Sequence, residues 1–126
     1  MKIHHLAITV DNLDKSKAFY AEMFGFTVVQ EFARKDMDAR AAFMKLGECA
    51  IELWEFKGMQ ENKDNLSVLG IRGIRHFALE VENLDAAVAK LHARGLKFSA
   101  PALGGSGHRY AFTSDPSGIP IELYEK

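Results

Sequence analysis

Hydrophobic and polar residues alternate along eight short segments of the chain, and a period of two predicts β-strands. Two further stretches carry apolar residues at helical spacing, which predicts helices from Leu13 to the glycine at 25 and from Leu84 to the glycine at 95. Asp11 or Asn12 can cap the first helix, and Asn83 the second. The predicted strands are 3–10, 26–34, 40–46, 49–56, 74–82, 96–99, 108–114 and 119–125.

The order of these elements occurs twice, and so does part of the sequence itself. HLAITVDNLD at 5–14 reappears as HFALEVENLD at 76–85, and AIELWE at 50–55 reappears as PIELYE at 120–125. A repeat of this kind predicts one structural unit used twice. We therefore expect a single α+β domain over 1–126, made of a βαβββ module at 1–56, a linker at 57–70 and a second βαβββ module at 71–126.

Composition and charge exclude several classes of function. The formal net charge of −1 gives no electrostatic reason to expect a nucleic-acid partner. No apolar run approaches the roughly 20 residues of a membrane span. The N-terminus has no cleavage-site signature, and the single cysteine, Cys49, can form no internal disulfide. We expect a cytoplasmic protein in which Cys49 is a small buried hydrophobe rather than a nucleophile.

Four polar residues fall at matching positions of the repeat. Side chains alternate across a strand, so His5 and His76 lie on one face of their strands, and Glu52 and Glu122 occupy the corresponding face of theirs. Aliphatic residues fill the opposite face. A lone histidine on a strand is most often structural, but the repeated set of imidazoles and carboxylates predicts a metal site.

The remaining histidines divide into two groups. His4 lies on the opposite face of the strand from His5, and His92 lies within a helix, so both are expected to be surface residues. His108 and Arg109 follow the glycine-rich loop at 104–107, where they can either reach a ligand or remain in solvent.

Three sequence motifs together resemble the vicinal oxygen chelate superfamily. They are the two HxAxxVxNL openings, FYxxxFGF at 19–26 and DPSGIPIEL at 115–123. The superfamily includes glyoxalase I, methylmalonyl-CoA epimerase, extradiol dioxygenases, fosfomycin-modifying enzymes and bleomycin-resistance proteins. The resemblance implies cupped mixed sheets with helices outside. It also implies one divalent metal, such as nickel, zinc, cobalt, manganese or iron, held by His5, Glu52, His76 and Glu122.

The complete set of four ligands is most similar to that of glyoxalase I. The resemblance implies a lyase or isomerase that transfers a proton next to a metal-chelated carbonyl, with Glu122 as the first choice of base and Glu52 as its counterpart. One alternative is an Fe(II) dioxygenase or a fosfomycin-resistance-like thiol transferase, which would use His5, His76 and Glu122 only. Another is a non-enzymatic protein that binds a small molecule such as an antibiotic.

The substrate is less clearly specified than the metal. Glyoxalase I typically has an arginine and an asparagine where this chain has Thr9 and Phe56, so its glutathione anchors are absent from those positions. Trp54, Phe56, Tyr110 and Tyr124 are candidates to wall the cavity, whereas core packing is the favoured role for Phe43. We expect a small-molecule substrate, an undetermined thiol cosubstrate, no membrane partner and a homodimer.

Overall fold

The first and last strands of each repeat are neighbours in one sheet. The computed structural model describes residues 1–126 and contains two units, Met1–Glu61 and Asn62–Lys126. Both have the βαβββ order, which confirms the predicted α+β class. The elements are β1 (His5–Thr9), α1 (Leu13–Phe24), β2 (Thr27–Arg34), β3 (Ala39–Leu46), β4 (Cys49–Phe56), β5 (Phe77–Val81), α2 (Leu84–His92), β6 (Ala102–Leu103), β7 (Arg109–Ser114) and β8 (Pro120–Glu125).

The two sheets have the same topology. Their strand orders are β1-β4-β3-β2 and β5-β8-β7-β6. The outer strand β1 runs parallel to β4, and β5 runs parallel to β8, whereas the remaining pairs are antiparallel. In register, Ala7 lies opposite Glu52 and Ala78 lies opposite Glu122. The repeat in the sequence is therefore also a repeat in strand register. Neither helix is both long and apolar enough to cross a membrane.

Asparagine caps begin both helices: Asn12, one of two predicted candidates, caps α1, and Asn83 caps α2 as predicted. The side-chain oxygen of Asn12 accepts a hydrogen bond from the Lys15 N–H at 2.9 Å, and that of Asn83 accepts one from the Ala86 N–H at 2.8 Å. Helix α1 ends against Gly25, which adopts the left-handed conformation with φ 79°. Helix α2 ends at His92, one turn before the glycine at which the sequence pattern predicts its end.

A glutamate from the last strand also binds each helix N-terminus. The backbone N–H of Leu13 donates to Glu55 Oε2 at 2.6 Å, and that of Leu84 donates to Glu125 Oε1 at 2.8 Å. These N–H groups have no acceptor within the helix, and the N-terminal end of a helix favours negative charge. Each carboxylate therefore fixes the start of the helix to the final strand of the same sheet.

An arginine strengthens each of these attachments. Arg40 Nε donates to Glu55 Oε1 at 2.8 Å, and its Nη2 donates to Asp14 at 3.0 Å. Arg109 repeats the arrangement, with two hydrogen bonds to Asp85 and a separation of 3.7 Å from Glu125. The Arg40 guanidinium, followed by the Leu13 N–H, holds the pKa of the Glu55 carboxyl below its ordinary value.

The core of each unit lies between its sheet and its helix. Alternation along the strands directs one set of side chains to this side, as the sequence predicts. In the first unit the buried set includes Ile8, Val10, Tyr20, Met44, Ile51 and Leu53, and in the second it includes Leu84, Leu91, Ala111, Ile121 and Leu123. The residues of opposite parity are consequently free for other roles.

Two local predictions are wrong. The segment 96–99 is not a strand, and the short strand of the second unit is Ala102–Leu103. Ser99 makes one backbone bond to Phe112, but its hydroxyl takes the Phe112 N–H, and the following Pro101 has no N–H to continue a ladder. Cys49 is exposed rather than buried, because it opens β4 directly after the turn at Gly47.

Replacing Glu55 by glutamine should destabilise the protein at neutral pH. The variant loses the charge that binds Arg40 and the helix N-terminus, so we expect the free energy of unfolding to fall by about 1–2 kcal/mol. Chemical denaturation measures this difference. Because the folded pKa of Glu55 is lowered, its contribution is present above about 4.5 and is lost as the pH falls below that value.

The difference between wild type and Glu55→Gln should therefore shrink on acidification. Glu48→Gln is the matched control, since Glu48 is exposed in the turn before β4. A loss that stays constant from neutral pH to acid, or an equal loss in Glu48→Gln, would contradict this role of Glu55.

Candidate functional site

One histidine and one glutamate lie together on the sheet of each unit. His5 opens β1, and its Nε2 is 3.4 Å from Oε2 of Glu52 on β4. His76 immediately precedes β5, and its Nε2 is 3.1 Å from Oε2 of Glu122 on β8. In each case the histidine is two residues before the alanine that pairs with the glutamate, so both side chains lie on one face. Strand register thus brings together the two residues of each predicted pair.

Both carboxylates are largely shielded from solvent. The side chains of Glu52 and Glu122 are 13% and 14% exposed, and each has only its histidine as a polar side-chain partner. A carboxylate has about four acceptor positions, so a single imidazole leaves most of them unused. Shielded oxygens with spare acceptor capacity are suited to a cation or to a proton donated by a ligand.

A phenylalanine packs against each histidine. Phe43 meets the His5 ring edge-on, with ring centroids 5.1 Å apart, and Phe112 meets the His76 ring in the same way at 5.0 Å. Each is the cross-strand neighbour of the glutamate. Phe43 is half-buried on the site face rather than in the core, and Phe112 was not predicted from the sequence. The repeated Ala-Phe dipeptide at 42–43 and 111–112 was the available signal.

The residue that precedes each histidine differs between the two units. His4 is exposed, and its Nδ1 lies 2.9 Å from Nδ1 of His5. The equivalent neighbour of His76 is Arg75, whose Nε and Nη1 are buried without hydrogen-bond partners. The two pairs therefore consist of the same side chains in different surroundings.

The pairs fit a divalent metal in donor type and spacing. No three His, Cys, Asp or Glu side chains form a group in the structure, so each unit offers one imidazole and one carboxylate. Two ligands about 2.1 Å from an ion and at right angles are about 3.0 Å apart, close to the separations found here. An imidazole and a carboxylate are donors that suit zinc, nickel, cobalt, manganese or iron.

A row of aromatic rings runs across the same face of the first unit. Phe32 lies 6.1 Å from Phe43 and 5.4 Å from Trp54, and Trp54 stacks on Phe56 at 5.6 Å with an interplanar angle of 19°. At the end of the row is a pocket of about 340 Å³, lined by Thr9, Met37, Phe56, Gly58, Met59 and Gln60. Three of the predicted substrate-binding residues, Thr9, Trp54 and Phe56, thus lie at this end of the sheet.

The other predicted substrate-binding residues lie on the second unit. Tyr110 contacts Phe112 edge-on at 5.6 Å, on the face that carries Glu122. His108 packs beside Tyr124, and its Nδ1 is 3.0 Å from the carbonyl oxygen of Glu125. Arg109, in contrast, is bound in a bidentate pair by Asp85 of α2. Tyr110 therefore faces the His76–Glu122 pair, whereas Arg109 is directed to the helix.

Known proteins are similar to this chain over nearly its whole length. The model of the Glyoxalase/Bleomycin resistance protein/Dioxygenase superfamily matches residues 2–123. The uncharacterized protein YwkD of Bacillus subtilis is 36% identical, with 98% of this chain and 96% of the relative covered. A glyoxalase family protein from Enterococcus faecalis has a similar structure, with a TM-score of 0.87, 30% identity and coverage of 98% and 97%.

Two enzymes are also similar at 30% identity. One is the probable lactoylglutathione lyase of Vibrio parahaemolyticus, with 98% of this chain and 90% of the relative covered. The other is the mitochondrial methylmalonyl-CoA epimerase of Dictyostelium discoideum, with coverage of 99% and 78%.

Replacing Phe112 by leucine tests the predicted metal site without removing a predicted ligand, and it should weaken metal binding if His76 is a ligand. The ring restrains the orientation of the His76 imidazole, and groups that orient a metal ligand typically change affinity by 10–100-fold, so we expect about a tenfold loss. Calorimetric titration with zinc or nickel measures the effect. Phe77→Leu is the control, because Phe77 neighbours His76 on the opposite parity; equal losses in both variants would contradict an orienting role for Phe112.

Proposed function

Because the chain belongs to the Glyoxalase/Bleomycin resistance protein/Dioxygenase superfamily, we propose that it is a metal-dependent lyase or isomerase of the glyoxalase I type. The proposed reaction moves a proton between carbon atoms beside a substrate carbonyl. The observation that carries the proposal is the matched pairs, His5–Glu52 and His76–Glu122, each at the same register of its sheet.

The four residues would together hold one divalent ion. The ion would polarise the substrate carbonyl, and this makes the neighbouring C–H more acidic. Glu122 would accept the proton from one carbon and return it to the adjacent carbon, with Glu52 as its counterpart in the other half of the site. Shielding of both carboxylates from solvent supports this role, because a proton held there exchanges slowly with bulk water.

The reaction of an Fe(II) dioxygenase or a thiol transferase is the main alternative within the superfamily. Such a site would need His5, His76 and Glu122 but not Glu52. Glu52 contacts His5 as Glu122 contacts His76, and the two carboxylates are almost equally shielded. This equivalence favours a four-ligand site. A non-enzymatic antibiotic-binding role would require no metal ligands at all, so it leaves the paired residues unexplained.

Replacing Glu52 by glutamine separates these possibilities. We expect the variant to lose at least tenfold in metal affinity, and its turnover of thiol adducts of α-ketoaldehydes to fall by about 10²-fold or more, because both a ligand and a proton acceptor are removed. Metal content of tag-free protein and steady-state kinetics measure these effects. Glu48→Gln, at an exposed position, should change neither quantity.

Retention of metal and activity by Glu52→Gln would favour the three-ligand alternative. Failure of the wild-type protein to bind divalent metal under metal-replete conditions would overturn the proposal itself.

We also propose that the protein is a homodimer whose metal sites draw on both chains. The strands β1, β2, β5 and β6 lie at the edges of their sheets, and exposed edges favour association with another chain. The single cysteine agrees with action in a reducing cytoplasm.

Mixing two inactive variants tests this assembly. His5→Ala and His76→Ala should each bind little metal alone. After co-refolding, half of the dimers are mixed, and each mixed dimer has one intact site, so we expect metal content to recover to about one quarter of the wild-type value. Size-exclusion chromatography with light scattering verifies the dimer. No recovery would mean that each site is formed within one chain.

A further inference from the structure

The pocket beside Thr9 lies on the face of the first sheet that carries the His5–Glu52 pair. Thr9 is four residues beyond His5 on β1, and Phe56 is four residues beyond Glu52 on the parallel strand β4. Four residues of strand span about 13 Å. A ligand that is held at the pair can therefore extend along both strands and reach the pocket.

The pocket presents no charged side chain. Its lining consists of Thr9, Met37, Phe56, Gly58, Met59 and Gln60, so only a hydroxyl and an amide are available as polar side-chain groups. Of the charged residues next to this lining in the sequence, Asp38 and Lys57 are exposed and pair with each other at 3.7 Å. Asp36 pairs with Arg34, and Glu55 pairs with Arg40. A carboxylate placed in the pocket would lose water without gaining a cation, which is strongly unfavourable.

The surface between the pair and the pocket is aromatic. Four rings form successive contacts across the sheet, from Phe43 to Phe32, from Phe32 to Trp54 and from Trp54 to Phe56. Aromatic rings favour flat or apolar ligand groups. The two methionines at the far end have flexible, polarisable side chains that adapt to groups of different shape.

We propose that this pocket binds an uncharged, apolar arm of the substrate, aryl or alkyl in character, rather than an anionic peptide such as a glutathionyl group. The inference rests on the proposed function, in which the reacting carbonyl lies at the metal. A volume of about 340 Å³ lies at the lower end of the range for small-molecule sites, and it suits one arm of a ligand better than a whole ligand.

Trp54 provides a direct readout of this pocket, because it is the only tryptophan of the chain and stacks on Phe56. Metal-stripped protein is titrated with N-phenylnaphthylamine, which is uncharged, and with anilinonaphthalene sulfonate, which has the same ring system and a negative charge. We expect saturable quenching of Trp54 by the uncharged probe and at least tenfold weaker binding of the sulfonate.

Two variants locate the binding. Thr9→Arg fills the pocket and adds a cation, and it should weaken binding of the uncharged probe at least tenfold. Met37→Glu adds an anion at a position that is 45% exposed, so the fold tolerates the change. It should also weaken binding of the uncharged probe. Thr27→Arg is the matched control, since Thr27 is exposed on β2 outside the pocket, and it should leave the dissociation constant unchanged.

Equal or tighter binding of the sulfonate by the wild-type protein would overturn the inference, as would unchanged binding of the uncharged probe by both Thr9→Arg and Met37→Glu. The assay contains no metal, so it remains valid if the metal-dependent reaction is disproved. Glu52→Gln should retain probe binding while losing metal, and this separates failure of the pocket from failure of the catalytic proposal.

Discussion

The attachment of each helix N-terminus to the last strand of its unit is the contact on which the site depends. Glu55 accepts the first N–H of α1, and Glu125 accepts the first N–H of α2. Because the helix directly follows the outer strand, this bond also holds that strand beside the last one in a fixed parallel register. The register then sets Ala7 opposite Glu52 and Ala78 opposite Glu122, so that His5 and His76, two residues earlier, share a face with these glutamates. A carboxylate on one face of the strand thus positions a carboxylate on the other.

Most of the fold could be predicted because its local signals agree with one another. Alternation located seven of the eight strands, and the asparagine caps located both helix starts. Strand β6 was misplaced because a side chain at Ser99 and a missing N–H at Pro101 interrupt the ladder before Ala102. The prediction that Cys49 is buried was wrong for a related reason, since residue type alone does not reveal a strand end beside a turn.

The candidate site could be predicted only in part. Parity and the repeat predicted that the histidines and glutamates share a face, and in the structure each histidine lies within 3.4 Å of one glutamate. The roles of Phe112 and Arg109 could not be derived in this way. Phe112 acts through a cross-strand contact, and Arg109 is held by an aspartate 24 positions away on the helix. Contacts between elements that are distant in sequence require the register to be known first.

The parallel pairing of first and last strands has a consequence for the order of folding. The hairpin of β3 and β4 joins segments that are close in sequence, whereas β1 reaches β4 only after about 45 residues of chain have been enclosed. Closing so large a loop is entropically costly, and contacts of this kind slow folding. His5 and Glu52 lie on the two strands that close this loop. During synthesis, therefore, neither half of the candidate site can form until the final strand of its own unit has left the ribosome.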